Sequence, residues 1–151
     1  HQGTGRCEMY FIGVDIVRRD VPGQLANRIL QAIFREAIDI VASGLASAED
    51  VDTAVKMGMG IRFPAWGPLE HVDAVGIDLV CSTQTTVLPD LATNRTACDY
   101  LQNLRDTGDL GYKTGRGFYD WSKKDMAGLS RKRNEFIIYA LKKIGPNAVS
   151  E

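Results

Sequence analysis

Apolar residues return every three to four positions from Leu25 to Val41, the longest amphipathic stretch of the chain. Leu25, Ile29, Ile33, Ala37 and Val41 form one row, and Leu30, Phe34 and Ile38 form a second beside it. Together they make a stripe wider than a surface helix needs, so the pattern predicts one long helix central to a bundle. Its expected span is about Pro22 to Ser43. Proline suits a first helical turn, Asp20 is placed to cap it, and Gly44 is the expected left-handed residue beyond its end. Asn27 stands out near the start of this apolar helix, because Asn is a mediocre helix former.

The remaining pattern is also helical. Ser47 with Asp50 three residues on is a capping-box variant that opens a helix from Ala48 to about Met57, stopped by Gly58 and Gly60. The run Arg62-Phe63-Pro64-Ala65-Trp66-Gly67-Pro68 fixes a bend. Helices are expected over Pro68–Val75, from Ile77 to about Leu91, and from Asn94 to Arg105. Gly111, Gly115 and Gly117 forbid regular helix, and Tyr112, Phe118, Tyr119 and Trp121 among them suit a loop pinned to the rest of the fold. Ser122 is the expected cap of a final helix over about Lys123 to Ile144, most apolar in its second half. Glu8 to Arg19 is rich in β-prone residues and reads as a short extended segment. The expected fold is therefore an all-α, multi-helix bundle around one long helix, a single domain over residues 1–151. Residues 1–8 read as a vector remnant or linker rather than a signal peptide.

Composition narrows the function classes. A formal net charge of −1 gives no global pull toward nucleic acid or membrane, and neither is expected as a partner. Asp78 breaks the apolar run around Val80, which is too short to span a bilayer. Cys7, Cys81 and Cys98 are scattered, odd in number and without metal-ligand spacing. They suggest a reducing, cytoplasmic setting, and Cys81 and Cys98 are expected as small buried apolar groups.

Few residues invite chemistry on their own. His71 beside Glu70 lacks the further partners a base or metal site needs, so a structural or surface role is expected. Lys113, Thr114 and Arg116 among glycines suit a phosphate, yet neither a preceding strand nor a P-loop pattern accompanies them, which favours a tight aromatic-pinned turn. The last helix carries Lys123, Lys124, Arg131, Lys132, Arg133, Lys142 and Lys143, most simply a solvated face. Trp66 suits a binding loop and a core anchor equally.

Several motifs then coincide in order: Asp20-Val21-Pro22-Gly23, Ala26-Asn27-Arg28, Ser47 with Asp50-Val51-Asp52-Thr53-Ala54, Gly67-Pro68-Leu69-Glu70, and Lys113-Thr114-Gly115-Arg116-Gly117-Phe118-Tyr119. From Arg18 to Trp121 this order resembles the C-terminal helical domain of the 3-hydroxyacyl-CoA dehydrogenases, within the wider 6-phosphogluconate/3-hydroxyacyl-CoA dehydrogenase fold.

The resemblance implies an upstream Rossmann domain, absent from this chain, that holds NAD and the catalytic His–Glu pair. It implies an acyl-CoA substrate, a homodimer built largely on the helical domain, and no cofactor on the fragment itself. Asn27 matches the residue that hydrogen-bonds substrate or the catalytic His, while Gln24, Arg28 and Trp66 are the expected substrate-binding positions. The family usually has Phe or another apolar residue where this chain has Gln24. Relatives with similar bends act on hydroxy acids without CoA, including gulonate, carnitine and pyridoxine-degradation dehydrogenases. A non-catalytic helical dimerisation module is the remaining alternative.

Overall fold

A computed structural model describes residues 22–23 and 25–144. The expected extended segment Glu8–Arg19, the Asp20 cap, Cys7 and Gln24 lie outside the described residues. Six α-helices follow in order: α1 (Leu25–Ala42), α2 (Ala48–Thr53), α3 (Pro68–Val75), α4 (Ile77–Val87), α5 (Asp99–Asp106) and α6 (Met126–Ile144). Among the described residues the only β-type pairing is two isolated bridges, Gly111 with Arg116 and Arg116 with Asp120. The fold is all-α, as the periodicity implies.

The chain divides into two units, His1–Phe34 and Arg35–Glu151, with the division inside α1. In the first unit, Pro22 lies in a bend and Gly23 has φ +81°, so α1 begins three residues later than proline usage suggests. A left-handed Gly23 cannot belong to the helix, and Pro22 is left outside the first turn. Arg28 donates from Nη1 to the Pro22 carbonyl at 3.2 Å and ties that bend to the helix. Leu25, Ile29, Leu30 and Phe34 are exposed.

In the second unit, the α1 residues Glu36 to Val41 are half-buried. The helix closes on a Schellman motif. Leu45 N–H reaches the Ile40 carbonyl at 3.0 Å and Gly44 N–H reaches Val41 at 3.1 Å, with Gly44 at φ +75° as expected. The Glu36 carboxylate accepts the Ala92 amide at 2.9 Å, a bond across 56 residues. Ala92, 8% exposed, is the one buried residue among those described.

Ser47 caps α2 by accepting the Asp50 amide at 3.1 Å. Its hydroxyl donates to the Asp50 carboxylate at 2.6 Å. The shorter carboxylate therefore takes the cap's hydroxyl, where a glutamate would reach the cap's amide.

Beyond Thr53 the helix does not stop at Gly58 but widens into a π-helix, Ala54–Gly60. A Cβ at Gly60 would sit 2.8 Å from the Val55 carbonyl oxygen, so the wide turn closes there because that position has no side chain. Glycine thus permits this turn rather than ending it.

α3 follows as expected and α4 starts where expected, pivoting on Gly76 at φ +99°, but α4 ends at Val87 rather than about Leu91. Gly67 N–H donates to the Glu70 carboxylate at 2.7 Å, the half of a capping box that a glycine cap can make. In α4, Thr83 and Thr85 return their hydroxyls to the carbonyls of Leu79 and Cys81 at 3.0 and 2.9 Å. Pro89 lies in a short 3-10 turn, Leu88–Asp90, after the helix proper.

Two further boundaries differ from expectation. α5 starts at Asp99 rather than Asn94, because Cys98 is extended (ψ 162°) and Gln102 donates to the Ala97 carbonyl at 2.7 Å. α6 starts at Met126, and the Gly128 amide bonds Asp125 at 2.9 Å, so Asp125 takes the capping role expected of Ser122. Ser122 instead lies in the turn Trp121–Lys123 under Asp120. Cys81 is exposed rather than buried, because it sits on an open face of α4, and Cys98 is half-buried.

Replacing Ser47 by Ala removes the α2 cap and should lower unfolding stability by about 1 kcal/mol. A urea-unfolding midpoint unchanged from the parent chain would contradict that role.

Candidate functional site

The first candidate group stands at the start of α1. Asn27 lies on its first turn and is exposed, and its carboxamide makes no hydrogen bond to another described residue. An amide presents two donors and two acceptor lone pairs in fixed directions. Arg28, next to it, is exposed and spends one donor on the Pro22 carbonyl. That bond shapes the turn carrying Asn27.

Trp66 belongs to the second unit and is described apart from Asn27. It closes the bend after the π-helix, its amide bonded to the Arg62 carbonyl at 2.9 Å. Its ring meets His71 edge to face, centroids 5.1 Å apart at 80°. Such pairs hold ring orientation as well as burying area. Trp66 stays 39% exposed, so it is an oriented surface aromatic rather than a core anchor. His71 is accordingly a packing partner, the structural role expected for it.

The Gly111–Trp121 loop resolves in favour of the pinned turn. Thr114 Oγ1 accepts the Leu110 amide at 2.9 Å and lies 3.3 Å from the Arg116 carbonyl, so the hydroxyl is used within the loop. Arg116 approaches Asp109 at 4.0 Å. Trp121 packs edge to face on Tyr112 and Tyr119 with centroids 5.7 and 6.0 Å apart, and Phe118 lies 5.9 Å from Tyr100. Asp120 accepts the Ser122 amide at 3.1 Å, and Ser122 with Lys123 holds its carboxyl below the usual carboxylate range.

Sequence reasoning missed the bond that fastens this loop. The Tyr119 hydroxyl donates to the Asp52 carboxylate at 3.0 Å and lies at the same distance from the Ala48 carbonyl. Lys56 pairs with the same carboxylate at 3.1 Å, and Lys124 Nζ stands 3.2 Å from the Tyr119 ring centroid. Burial first, then the Asp52 hydrogen bond and charge, then Glu49, push the phenol well above its ordinary 10.0. Tyr119 and Asp52 are 67 residues apart, and no local pattern links them. Among the described residues no cluster of His, Cys, Asp and Glu suits a metal, and no helix is long and apolar enough to cross a membrane.

Residues 23–121 match the profile of the 3-hydroxyacyl-CoA dehydrogenase, C-terminal domain. The chain is 30% identical over 123 residues to a 5-formyl-3-hydroxy-2-methylpyridine 4-carboxylate 5-dehydrogenase of Mesorhizobium japonicum, which covers 82% of this chain and 40% of that protein. It is 36% identical over 106 residues to a probable 3-hydroxybutyryl-CoA dehydrogenase of Bacillus subtilis, covering 70% of this chain and 36% of that protein. A crystal structure of a 5-formyl-3-hydroxy-2-methylpyridine 4-carboxylic acid 5-dehydrogenase, described as an NAD+-dependent dismutase, superimposes with a TM-score of 0.77 at 28% identity. It covers 84% of this chain and 41% of that one. The chain thus spans about two fifths of the length of these relatives.

A raised phenol pKa means the folded chain holds the Tyr119 proton to higher pH than the unfolded chain does. Its contribution to stability is therefore complete below pH 10.0 and declines as pH rises beyond that. Tyr119→Phe should destabilise the chain by about 1–2 kcal/mol at neutral pH and flatten this alkaline decline. Identical alkaline slopes for the two chains would refute the assignment.

Proposed function

Because the chain belongs to the 3-hydroxyacyl-CoA dehydrogenase family as its C-terminal domain, we propose that it is the helical half of an NAD-dependent dehydrogenase of 3-hydroxyacyl-CoA. In that enzyme it supplies substrate-site side chains and the dimer face.

The supporting observation is Asn27. Its carboxamide is exposed at the start of α1 and makes no bond to another described residue, on a turn that Arg28 and Pro22 stabilise. An exposed amide at that position is placed to hold a substrate oxygen or the catalytic imidazole of an upstream lobe in reacting geometry. Arg28 and the exposed edge of Trp66 are further substrate contacts in this reading, together with Gln24.

NAD belongs to the part of the relatives that this chain does not span. The sequence contains no G-x-G-x-x-G run, and the described residues include no strand to precede one. No hydride step is therefore assigned to any residue of this chain. Free Cys81 and Cys98 are consistent with a reducing, cytoplasmic setting.

Two outcomes test the reading. In the full-length enzyme, Asn27→Ala should lower kcat by about 100-fold with an unchanged melting temperature, because the lost group positions and does not pack. Unaltered kcat would remove Asn27 from the site. The 151-residue chain alone should neither bind NAD tightly nor oxidise substrate, and hydride transfer by it would overturn the division of labour proposed here.

The chain should also be a homodimer. Leu45, Met57, Leu69, Ile77 and Leu79 all stand exposed in the second unit, more apolar surface than an isolated monomer usually tolerates. A single monomeric species by sedimentation at micromolar concentration would refute it.

One observation favours a second substrate class. The Mesorhizobium relative is named for a methylpyridine carboxylate without CoA, and Gln24 is polar where the family usually carries an apolar residue. Assaying the full-length enzyme on 3-hydroxyacyl-CoA and on CoA-free hydroxy acids, pyridoxine-degradation intermediates included, separates the two.

A further inference from the structure

The last helix is the least explained element of the chain. α6 (Met126–Ile144) lies wholly beyond the residues that match the family profile, which end at 121. Extensive contact between elements joins α2 to the π-helix, α3 to α4, and α4 to its 3-10 turn, and α6 takes part in none of these.

Its second half opens on a six-residue apolar run, followed by Lys142 and Lys143. Phe136-Ile137-Ile138-Tyr139-Ala140-Leu141 spans more than one helical turn, so these side chains encircle the axis. Phe136, Ile137, Ile138, Tyr139 and Leu141 are all exposed, Tyr139 by 61%. Large apolar side chains clustered on an exposed helix mark a surface for a partner to cover.

Charge identifies the partner. α6 carries Arg131, Lys132, Arg133, Lys142 and Lys143 against a single acid, Glu135. Residues 67–94 carry Glu70, Asp73, Asp78 and Asp90 and no Lys or Arg at all. That stretch is α3, α4 and the turn after them, and it exposes Leu69 (79%), Val75, Ile77, Leu79, Val87 and Leu88. One surface is basic and apolar, the other acidic and apolar, and both stand open in the same chain. Complementary potentials of this kind select partners and set register.

We propose that α6 is an exchanged arm, docking on the α3–α4 face of a second copy of this chain. The contact presumes the dimer proposed above and adds a seam to it beyond the residues the profile matches. In a two-fold dimer the contact occurs twice, each copy giving an arm and receiving one.

Sedimentation equilibrium of the 151-residue chain and of a chain ending at Asp125 tests the proposal. Removing α6 should weaken self-association by at least about tenfold. Equal dissociation constants would overturn the arm and leave the dimer standing. Two monomers would overturn both.

Charge exchange provides the second arm of the test, on residues that cap no helix. Arg131→Glu with Lys132→Glu, and separately Asp73→Lys with Asp90→Lys, should each weaken association about tenfold. Mixing the two variants should restore it, because opposite charges then face each other across the copies. Failure of the mixture to recover would refute the pairing, as would binding of α6 to vesicles containing phosphatidylserine with self-association unaffected.

Discussion

The bond from the Tyr119 hydroxyl to the Asp52 carboxylate is the long-range tie on which the packing of the Gly111–Trp121 loop depends. It reaches from the loop after α5 back to α2, and the Ala48 carbonyl at 3.0 Å sets the hydroxyl against the helix backbone as well. The site is well served electrostatically. Lys56 neutralises the carboxylate at 3.1 Å, and Lys124 lies 3.2 Å from the ring centroid. Removing the hydroxyl leaves that carboxylate with Lys56 alone and takes away the loop's bond to α2. The Glu36–Ala92 bond does the corresponding work between the end of α1 and the segment after α4. Between them, two carboxylates tie four parts of the chain together where apolar burial is scarce.

That scarcity is the second physical fact. A helical domain of this length ordinarily buries a continuous core, whereas Ala92 is the one buried residue among those described. The large apolar side chains of α1, α3, α4 and α6 face outward instead. The scarcity accounts for how much of the order here comes from hydrogen-bonded ends, such as the Ser47 cap, the Gly44 motif and the Glu70 half-box, rather than from packing.

What the sequence revealed follows the range of each interaction. Helix identity comes from periodicity, and α3 matches its expectation at both ends. The Gly44 terminus and the Ser47–Asp50 cap are local patterns of glycine and hydroxyl, and both are realised. Boundaries were displaced where a neighbour a few residues away competes. Gly23 takes Pro22 out of α1, and Asp125 replaces Ser122 at α6. The Tyr119–Asp52 and Glu36–Ala92 bonds were invisible because each joins residues more than fifty positions apart. Of the candidate site, the position of Asn27 at the head of α1 was legible. The pairing of Trp66 with His71 was not, because it depends on the angle at which the bend delivers the indole.

The π-helix between α2 and the Trp66 bend has a consequence for how the chain tolerates insertion and loss. A ring closed from residue i to i+5 contains one more residue than an α-helical ring. The stretch from Ala54 to Gly60 therefore stores a residue of slack that an ordinary helix lacks. Shortening it by one position lets the turn close as α-helix while the flanking elbow keeps the bonds of the Ala65 and Trp66 amides to the Arg62 carbonyl. Natural variants that differ in length should concentrate their gaps here, leaving the capped helices on either side unbroken.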